Sequence, residues 1–339
     1  MTQTILVTGG TGYIGSHTCV QLLERGFDVV IADDLSNSSE LVTEVVARLG
    51  GRAPAFEQVD VTDEQAVAAL FRRYPIEAVI HFAGLKAVGE STEQPLRYYR
   101  TNLESAMVLL QQMAAHDVYQ FVFSSSATVY GTPEVLPIPE TAATAPANPY
   151  GRTKLMIEDI CRDVAAADDR WRISLLRYFN PVGAHPSGDL GEDPRGTPNN
   201  LVPFVMQVAV GRRPQLQVFG GDWDTPDGSG VRDYIHVLDL ASGHLAALAQ
   251  EEVGCRVFNL GTGSGASVLD VVKTTENVSG VSVPYEIVAR RPGDVATSLA
   301  DPTRANTELE WRADRSLDVM LTDAWRWQSK HPMGFAESE

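Results

Sequence analysis

The chain has 339 residues, of which 44% are apolar and 21% charged. That length and composition carry an ample hydrophobic core and exclude a disordered chain. A net charge of −17 argues against nucleic acid or an anionic membrane as partner, because like charge repels both.

Cys19, Cys161 and Cys255 lie far apart with no Cys-x-x-Cys pair, which suits a reducing cytosol better than a disulfide framework. The opening MTQTILVTGG has no basic leader, and its apolar run is short for a signal segment. LVPFVMQVAV (201–210), the longest nearly apolar run, is half a membrane span and contains a proline. A cytoplasmic protein is expected. The seven histidines show no metal spacing, so no metal is expected either. His81 and His236 follow strand-like runs and read as structural.

ILVT (5–8) reads as a strand, followed by a helix with Cys19, Leu22 and Leu23 on its apolar face and Gly26 at its end. FDVVIAD (27–33), a polar segment, PAFEQVD (54–60) and a helix to about Tyr74 come next. AVIHFAG (78–84), a helix from about Leu96 to His116, QFVFSSS (120–126), a helix at Tyr150 and ISLLRYFN (173–180) continue the alternation. Strands written as unbroken apolar runs are covered on both faces, so the pattern predicts a parallel, doubly wound α/β sheet.

After Asn180 the rhythm breaks. Residues 181–200 are rich in Gly, Pro, Asp and Asn, without a period of either kind, and so long a loop is commonly functional. A helix at about 201–211, an irregular stretch (220–236), a helix (238–250), the strand RVFNL (256–260), two further segments and an amphipathic helix around Trp325 follow. The expectation is a Rossmann domain over 1–180 and a smaller mixed α/β domain, mainly substrate-binding, over 181–339, with the chain free to cross between them. Trp311, Trp325 and Trp327 read as packing residues.

ILVTGGTGYIG (5–15) is a strand, a glycine-rich turn and a helix start. Gly10, Gly12 and Gly15 satisfy G-x-G-x-x-G, and Gly9, Gly12 and Gly15 give a second register. Glycines there let backbone N–H groups approach a pyrophosphate at the helix N-terminus. Asp33 ends the second strand, where a carboxylate takes both ribose hydroxyls. With Asp34 beside it, a 2′-phosphate is repelled, which favours NAD over NADP. Asp60, after the third strand, falls near the adenine by the same topology.

NPYGRTK (148–154) places Asn148 as an N-cap, Pro149 at the first helical position, and Tyr150 one turn before Lys154 on the same face. A phenol is a poor base at neutral pH. Lowering its pKa by roughly three units takes about 4 kcal/mol, which a neighbouring ammonium and the positive nicotinamide ring are expected to supply. A hydroxyl at the end of FSSSATVYG (123–131) stands where it shares the substrate's proton with Tyr150.

TGGTGYIG, SSSATVYG and YGRTK together resemble the extended short-chain dehydrogenase/reductase family. HFAGLKAVGES (81–91), LRYFNPVGAHPSG (176–188), PNNLVPF (198–204), GVRDYIHVLDLA (230–241) and RRPGD (290–294) narrow the resemblance to its UDP-hexose 4-epimerases, over essentially the whole chain. The resemblance implies Ser126 as the catalytic hydroxyl, Tyr150 as base and Lys154 as its modulator. It implies tightly held NAD on Gly9, Gly12, Tyr13, Ile14, Gly15, Asp33, Asp34, Asn37, Asp60, Val61, Phe82, Ala83, Gly84, Lys86, Asn102 and Phe179. Asn102 reads equally well as a residue that bonds one helix to its neighbours.

The UDP-sugar falls, by the same resemblance, to Asn180, Asn199, Leu201, Phe219, Arg232, Arg291, Asp294 and Ser298. A small residue at 298, where some of these enzymes carry a tyrosine, leaves room for a 2-acetamido group unless Leu299 or a shifted loop refills it. Helices 96–116 and 151–165 are implied to pair with a second subunit, giving a homodimer. Three rival readings remain: another NAD-dependent nucleotide-sugar epimerase or 4,6-dehydratase, a net oxidoreductase, and a non-catalytic NAD-binding protein. A dehydratase needs an Asp-Glu pair where this chain has Ala127 and Thr128.

Overall fold

Five successive buried residues, Thr4–Thr8, form β1 and set the pattern for the first half of the computed structural model, which describes residues 2–291 and 293–335. The glycine turn leads into α1 (Tyr13–Glu24), followed by β2 (Asp28–Asp33), α2 (Leu41–Leu49), β3 (Ala55–Gln58), α3 (Glu64–Arg73) and β4 (Ile76–His81). Then come α4 (Val88–Glu93), α5 (Pro95–Ala115), β5 (Gln120–Ser126), a one-turn 3₁₀ helix (Ala127–Tyr130), α6 (Pro149–Ala167) and β6 (Arg172–Tyr178).

The second half supplies β7 (Asn180–Val182), α7 (Leu201–Ala209), β8 (Leu216–Phe219), β9 (Val231–His236), α8 (Val237–Leu248) and β10 (Gly254–Leu260). It ends with β11 (Gly265–Ser267), α9 (Val268–Ser279), β12 (Tyr285–Val288), β13 (Thr297–Ser298), α10 (Thr303–Glu308) and α11 (Leu317–Lys330).

The main sheet has seven parallel strands in the order β10-β6-β5-β4-β1-β2-β3. From β1 the chain winds outward to β3, then returns to place β4 on the other side of β1. That reversal makes the carboxyl ends of β1 and β4 the switch point at which doubly wound sheets hold ligands. Side chains alternate across the sheet as the pleat requires. Ile5 and Val7 join the core under α1, α2 and α8, while Leu6 joins the one under α3, α5 and α6.

A smaller unit packs β7, β9, β11 and β13, with the pair β8–β12, against α7, α9 and α11. The sequence reading missed three elements of the fold. The polar segment after β2 holds α2, whose period is carried by only two buried residues, Val42 and Val46. β7 opens the stretch read as loop, and β9 lies inside the stretch read as irregular. The polar look of β9 comes from Asp233, which is fully buried and accepts from Thr262 N, Thr262 Oγ1, Gly263 N and Ala300 N. The chain does cross back beyond residue 180: β10 pairs with β6 and α8 covers the main sheet. Trp311 and Trp327 are buried, and Trp325 packs against the smaller unit's core.

Asp233 ties β9 to the 262–263 turn and to the segment following β13. Asp233→Asn, which turns an acceptor into a donor against those N–H groups, is expected to cost about 2–4 kcal/mol, measured by urea unfolding.

Candidate active site

The glycine turn is built by close approach. A Cβ on Gly15 would lie 2.2 Å from Gly9 O, and one on Gly9, whose φ is +70°, would lie 2.7 Å from the backbone N of Ala83. β1 and the segment after β4 thus touch through backbone, bringing Gly9 against Phe82 and Ala83, with Gly84 next in the chain. α1 starts on Gly12 with no side-chain cap and no acidic residue in its first turn. The N–H groups at Tyr13, Ile14 and Gly15 therefore present an uncapped positive helix end, which fits a pyrophosphate.

Asp33 sits at the end of β2, 8% exposed, accepting from Thr11 N, Leu35 N and Ser38 Oγ at 3.0–3.1 Å. Asp34 and Asn37 are exposed beside it. Asp60 lies past β3 with its carboxylate on Thr62 N and Oγ1, and Val61 is buried. Lys86 is exposed and pairs with Glu192 at 3.5 Å. The Tyr13 phenol donates to Gly183 O at 2.7 Å. Arg195 donates to the carbonyls of Ser36 and Ser38, so the long loop is tied down over this edge.

Asn102 is engaged within the protein. Its Oδ1 accepts from Leu85 N at 2.8 Å, and its Nδ2 donates to Leu85 O and Thr153 Oγ1 at 3.0 Å. Its side chain holds the loop after β4 to α6, as the helix-bonding reading had it. Phe179 is buried just past β6.

Ser126 at the end of β5 and Tyr150 at the start of α6 are both 7% exposed. Asn148 caps α6 with Oδ1 on Gly151 N at 2.8 Å, so Tyr150 falls in the first turn. Ser126 Oγ accepts from Thr128 N at 3.2 Å and Thr128 Oγ1 at 3.0 Å. With its acceptor side filled, its proton is left to donate outward. Lys154 Nζ donates to Ser124 O at 2.8 Å and stands 4.8 Å from the Phe123 ring and 5.9 Å from the Tyr150 ring.

The expected lowering of the phenol pKa is not a property of the polypeptide. Burial pushes Tyr150 well up, Tyr178 and Tyr98 add to this, and only the neighbouring Ser126 hydroxyl works downward. Burial also lowers the Lys154 ammonium from 10.5 to about 8. Desolvation outweighs the attraction between two groups that share a face but do not touch. His81 and His244, behind the site, are held neutral by burial.

A second cluster gathers on the smaller unit. Ser298 of β13 stands opposite Arg232 of β9. Arg291 packs its guanidinium 4.2 Å from the centre of the Phe219 ring and bonds Asp294 at 3.3 Å. Burial depresses Arg232, with Asp294 opposing. Asn180 lies on β7 opposite Tyr234 of β9, while Asn199 and Leu201 flank the start of α7.

Residues 5–261 match the NAD dependent epimerase/dehydratase family. The chain belongs to that family. Among its members, a UDP-glucose 4-epimerase of Bacillus subtilis is 55% identical, with 99% of each chain covered. The UDP-glucose 4-epimerase of Bifidobacterium longum, solved in complex with NAD+ and UDP, is 52% identical with a TM-score of 0.95, covering 98% of this chain and 100% of that one. At greater distance, the UDP-Glc/GlcNAc 4-epimerase of Campylobacter jejuni is 38% identical with a TM-score of 0.84, covering 97% and 99%. NAD is the cofactor of this NAD-dependent family, and the glycine turn and uncapped α1 described above fit it.

Sequence reasoning missed Thr128, which aims Ser126, and Thr11 and Ser38, which hold Asp33. It also missed Glu158 and Arg177, a buried pair that joins the Tyr150 helix to β6. Signals for these existed: Thr128 follows Ser126 at the spacing of a hydroxyl turn, and Arg177 interrupts an apolar strand.

A buried ammonium with one hydrogen bond burdens the fold. Below about pH 8 the folded and unfolded states both carry the proton and the cost is full. As pH rises from 8 toward 10.5 the folded state releases it first, and stability is regained. Lys154→Met is expected to stabilise the cofactor-free protein by about 1–3 kcal/mol at pH 7. That gain should shrink as pH approaches 10, as followed by urea unfolding at both values.

Proposed function

We propose that the chain is an NAD-dependent UDP-hexose 4-epimerase, an isomerase that interconverts UDP-galactose and UDP-glucose. The observation that carries the reading is the gathering of Ser126, Tyr150 and Lys154 at the same carboxyl edge of the sheet as the glycine turn, together with Arg232 and Arg291 on the smaller unit. NAD supplies the acceptor and donor of a hydride at sugar C4, so the reaction is redox-neutral and passes through a 4-keto sugar.

Tyr13, Ile14 and Gly15 hold the pyrophosphate through backbone N–H groups, while Gly9 and Gly12, whose own N–H groups bond Ala32 O and Gly9 O, shape the turn that lets it approach. Asp33 takes the ribose hydroxyls, with Asp34 and Asn37 alongside. Asp60 and Val61 border the adenine. Phe82, Ala83, Gly84, Lys86 and Phe179 form the rest of the cofactor wall, and Asn102 positions its loop. Tyr150 Oη removes the proton from the 4-hydroxyl and later returns it. Ser126 donates to the same oxygen. The Lys154 ammonium, charged at neutral pH, favours the phenolate electrostatically and has protons left for a ribose hydroxyl.

Arg232 and Arg291 bind the diphosphate by charge and by the fork of the guanidinium. Asn180, Asn199, Leu201, Phe219 and Asp294 hold the rest of UDP. This firm grip on UDP leaves the sugar free to turn its other face between the two half-reactions. α5 and α6 expose Leu96, Met107 and Met156, an apolar stripe suited to a second copy of the chain, so the working form is a homodimer. The reading makes this a cytoplasmic enzyme of galactose metabolism. No helix among the described residues is long and apolar enough to cross a membrane.

Proton NMR of the purified protein with UDP-galactose, without added NAD, tests the function. Conversion to UDP-glucose is expected, and no change even with NAD supplied would refute it. Tyr150→Phe is expected to lower kcat by about 10²–10⁴-fold while bound NAD persists. Ser298 leaves the sugar pocket open to a 2-acetamido group, so UDP-GalNAc is expected to convert as well. Ser298→Tyr should abolish that activity and spare the first, a result read from the anomeric signals of both substrates.

A further inference from the structure

Glu158 lies on α6 one turn past Lys154, and its side chain is fully buried. Arg177 of β6 grips its carboxylate at two points, with Nε 2.9 Å from Oε1 and Nη2 2.5 Å from Oε2. Ser125 Oγ donates to Oε1 at 2.6 Å, and Arg162 reaches Oε2 at 2.8 Å. Three elements meet on one carboxylate: α6, which carries Tyr150 and Lys154; β5, where Ser125 precedes Ser126; and β6.

Burying two ions costs several kcal/mol each, and a matched apolar pair often serves stability as well or better. What an apolar pair lacks is direction. The fork of a guanidinium on a carboxylate fixes both spacing and angle.

We propose that Glu158 is a positioning residue for proton transfer: with Arg177 and Ser125 it sets α6 against the ends of β5 and β6, and so fixes the separation of the Tyr150 and Ser126 hydroxyls. The inference rests on the epimerase reading. Lys154 Nζ on the carbonyl of Ser124 is the other tie in this seam, but it is a single hydrogen bond from a long flexible side chain. Glu158 is the rigid tie. A slip of about 1 Å along the seam is enough to cost up to about 100-fold in rate. It also draws Ser126 away from the phenol, leaving Tyr150 facing Tyr178, Tyr98 and the Lys154 ammonium without the hydroxyl that lowers its pKa.

The test compares the NAD-loaded protein with Glu158→Gln and with the double variant Glu158→Leu/Arg177→Met, which replaces the pair by apolar side chains. Expected are a fall in kcat on UDP-galactose of at least about 10-fold in both variants, with KM and bound NAD within about twofold. The pH limb that reports the phenol should move upward, while the double variant unfolds in urea no earlier than Glu158→Gln. The double variant decides the matter where Glu158→Gln does not accumulate.

A folded double variant with kcat within about twofold of the unaltered chain overturns the proposal. Collapse of KM and bound NAD together with kcat overturns it equally, because the whole pocket has then given way. The phenol is also titrated directly, by ultraviolet difference spectra against Tyr150→Phe. An unmoved titration overturns the positioning role even if no epimerase turnover is seen, so this failure is distinct from that of the epimerase reading.

Discussion

Because β1 through β6 run parallel, every loop that follows a strand leaves from one edge of the sheet, and the chain's reactive groups collect there. Asp33, Ser126 and Phe179 are far apart in sequence, yet each sits at or just beyond a strand's carboxyl end. The glycine turn depends on the same constraint, since β1 and β4 are adjacent only because the winding reverses between them. Without that adjacency, the tight contact of Gly9 with Ala83 would have no partner.

That edge is also where the fold tolerates its most expensive groups. An ammonium, a carboxylate and a guanidinium are buried within one turn of one another or across one seam, in Lys154, Glu158 and Arg177. The three differ in kind. Glu158 and Arg177 satisfy each other, and the carboxylate stays below its ordinary range despite complete burial because Arg177, Ser125 and Arg162 bond it. Lys154 has one carbonyl as hydrogen-bond partner and the rings of Phe123 and Tyr150 nearby. One charge is neutralised where geometry matters, and the other is left incompletely satisfied where its field matters.

The main sheet could be read from the sequence because its strands are largely apolar runs and most of its helices, α2 excepted, carry a clear period. The glycine turn and the Tyr-x-x-x-Lys helix could be read because they combine rare residues at fixed spacing. β9 could not, because its buried Asp233 looks like a surface residue until the four donors that surround it are known, and those lie at Thr262, Gly263 and Ala300. The electrostatics of Tyr150 were illegible for a similar reason. Spacing shows that Lys154 shares its face, but only packing shows how thoroughly both are dried. Thr128 was overlooked because its role is to aim another residue rather than to react.

The return of the chain to the main sheet limits how this architecture can be taken apart. β10 is the outermost strand beside β6, and α8 packs over the sheet next to α1, yet both are encoded after the long loop. A graft made at residue 180 would strip the nucleotide-binding half of an edge strand and a covering helix, exposing the flank of β6. New substrate lobes therefore cannot be exchanged as cassettes at that junction; they have to be inserted around 237–260, leaving α8 and β10 in place.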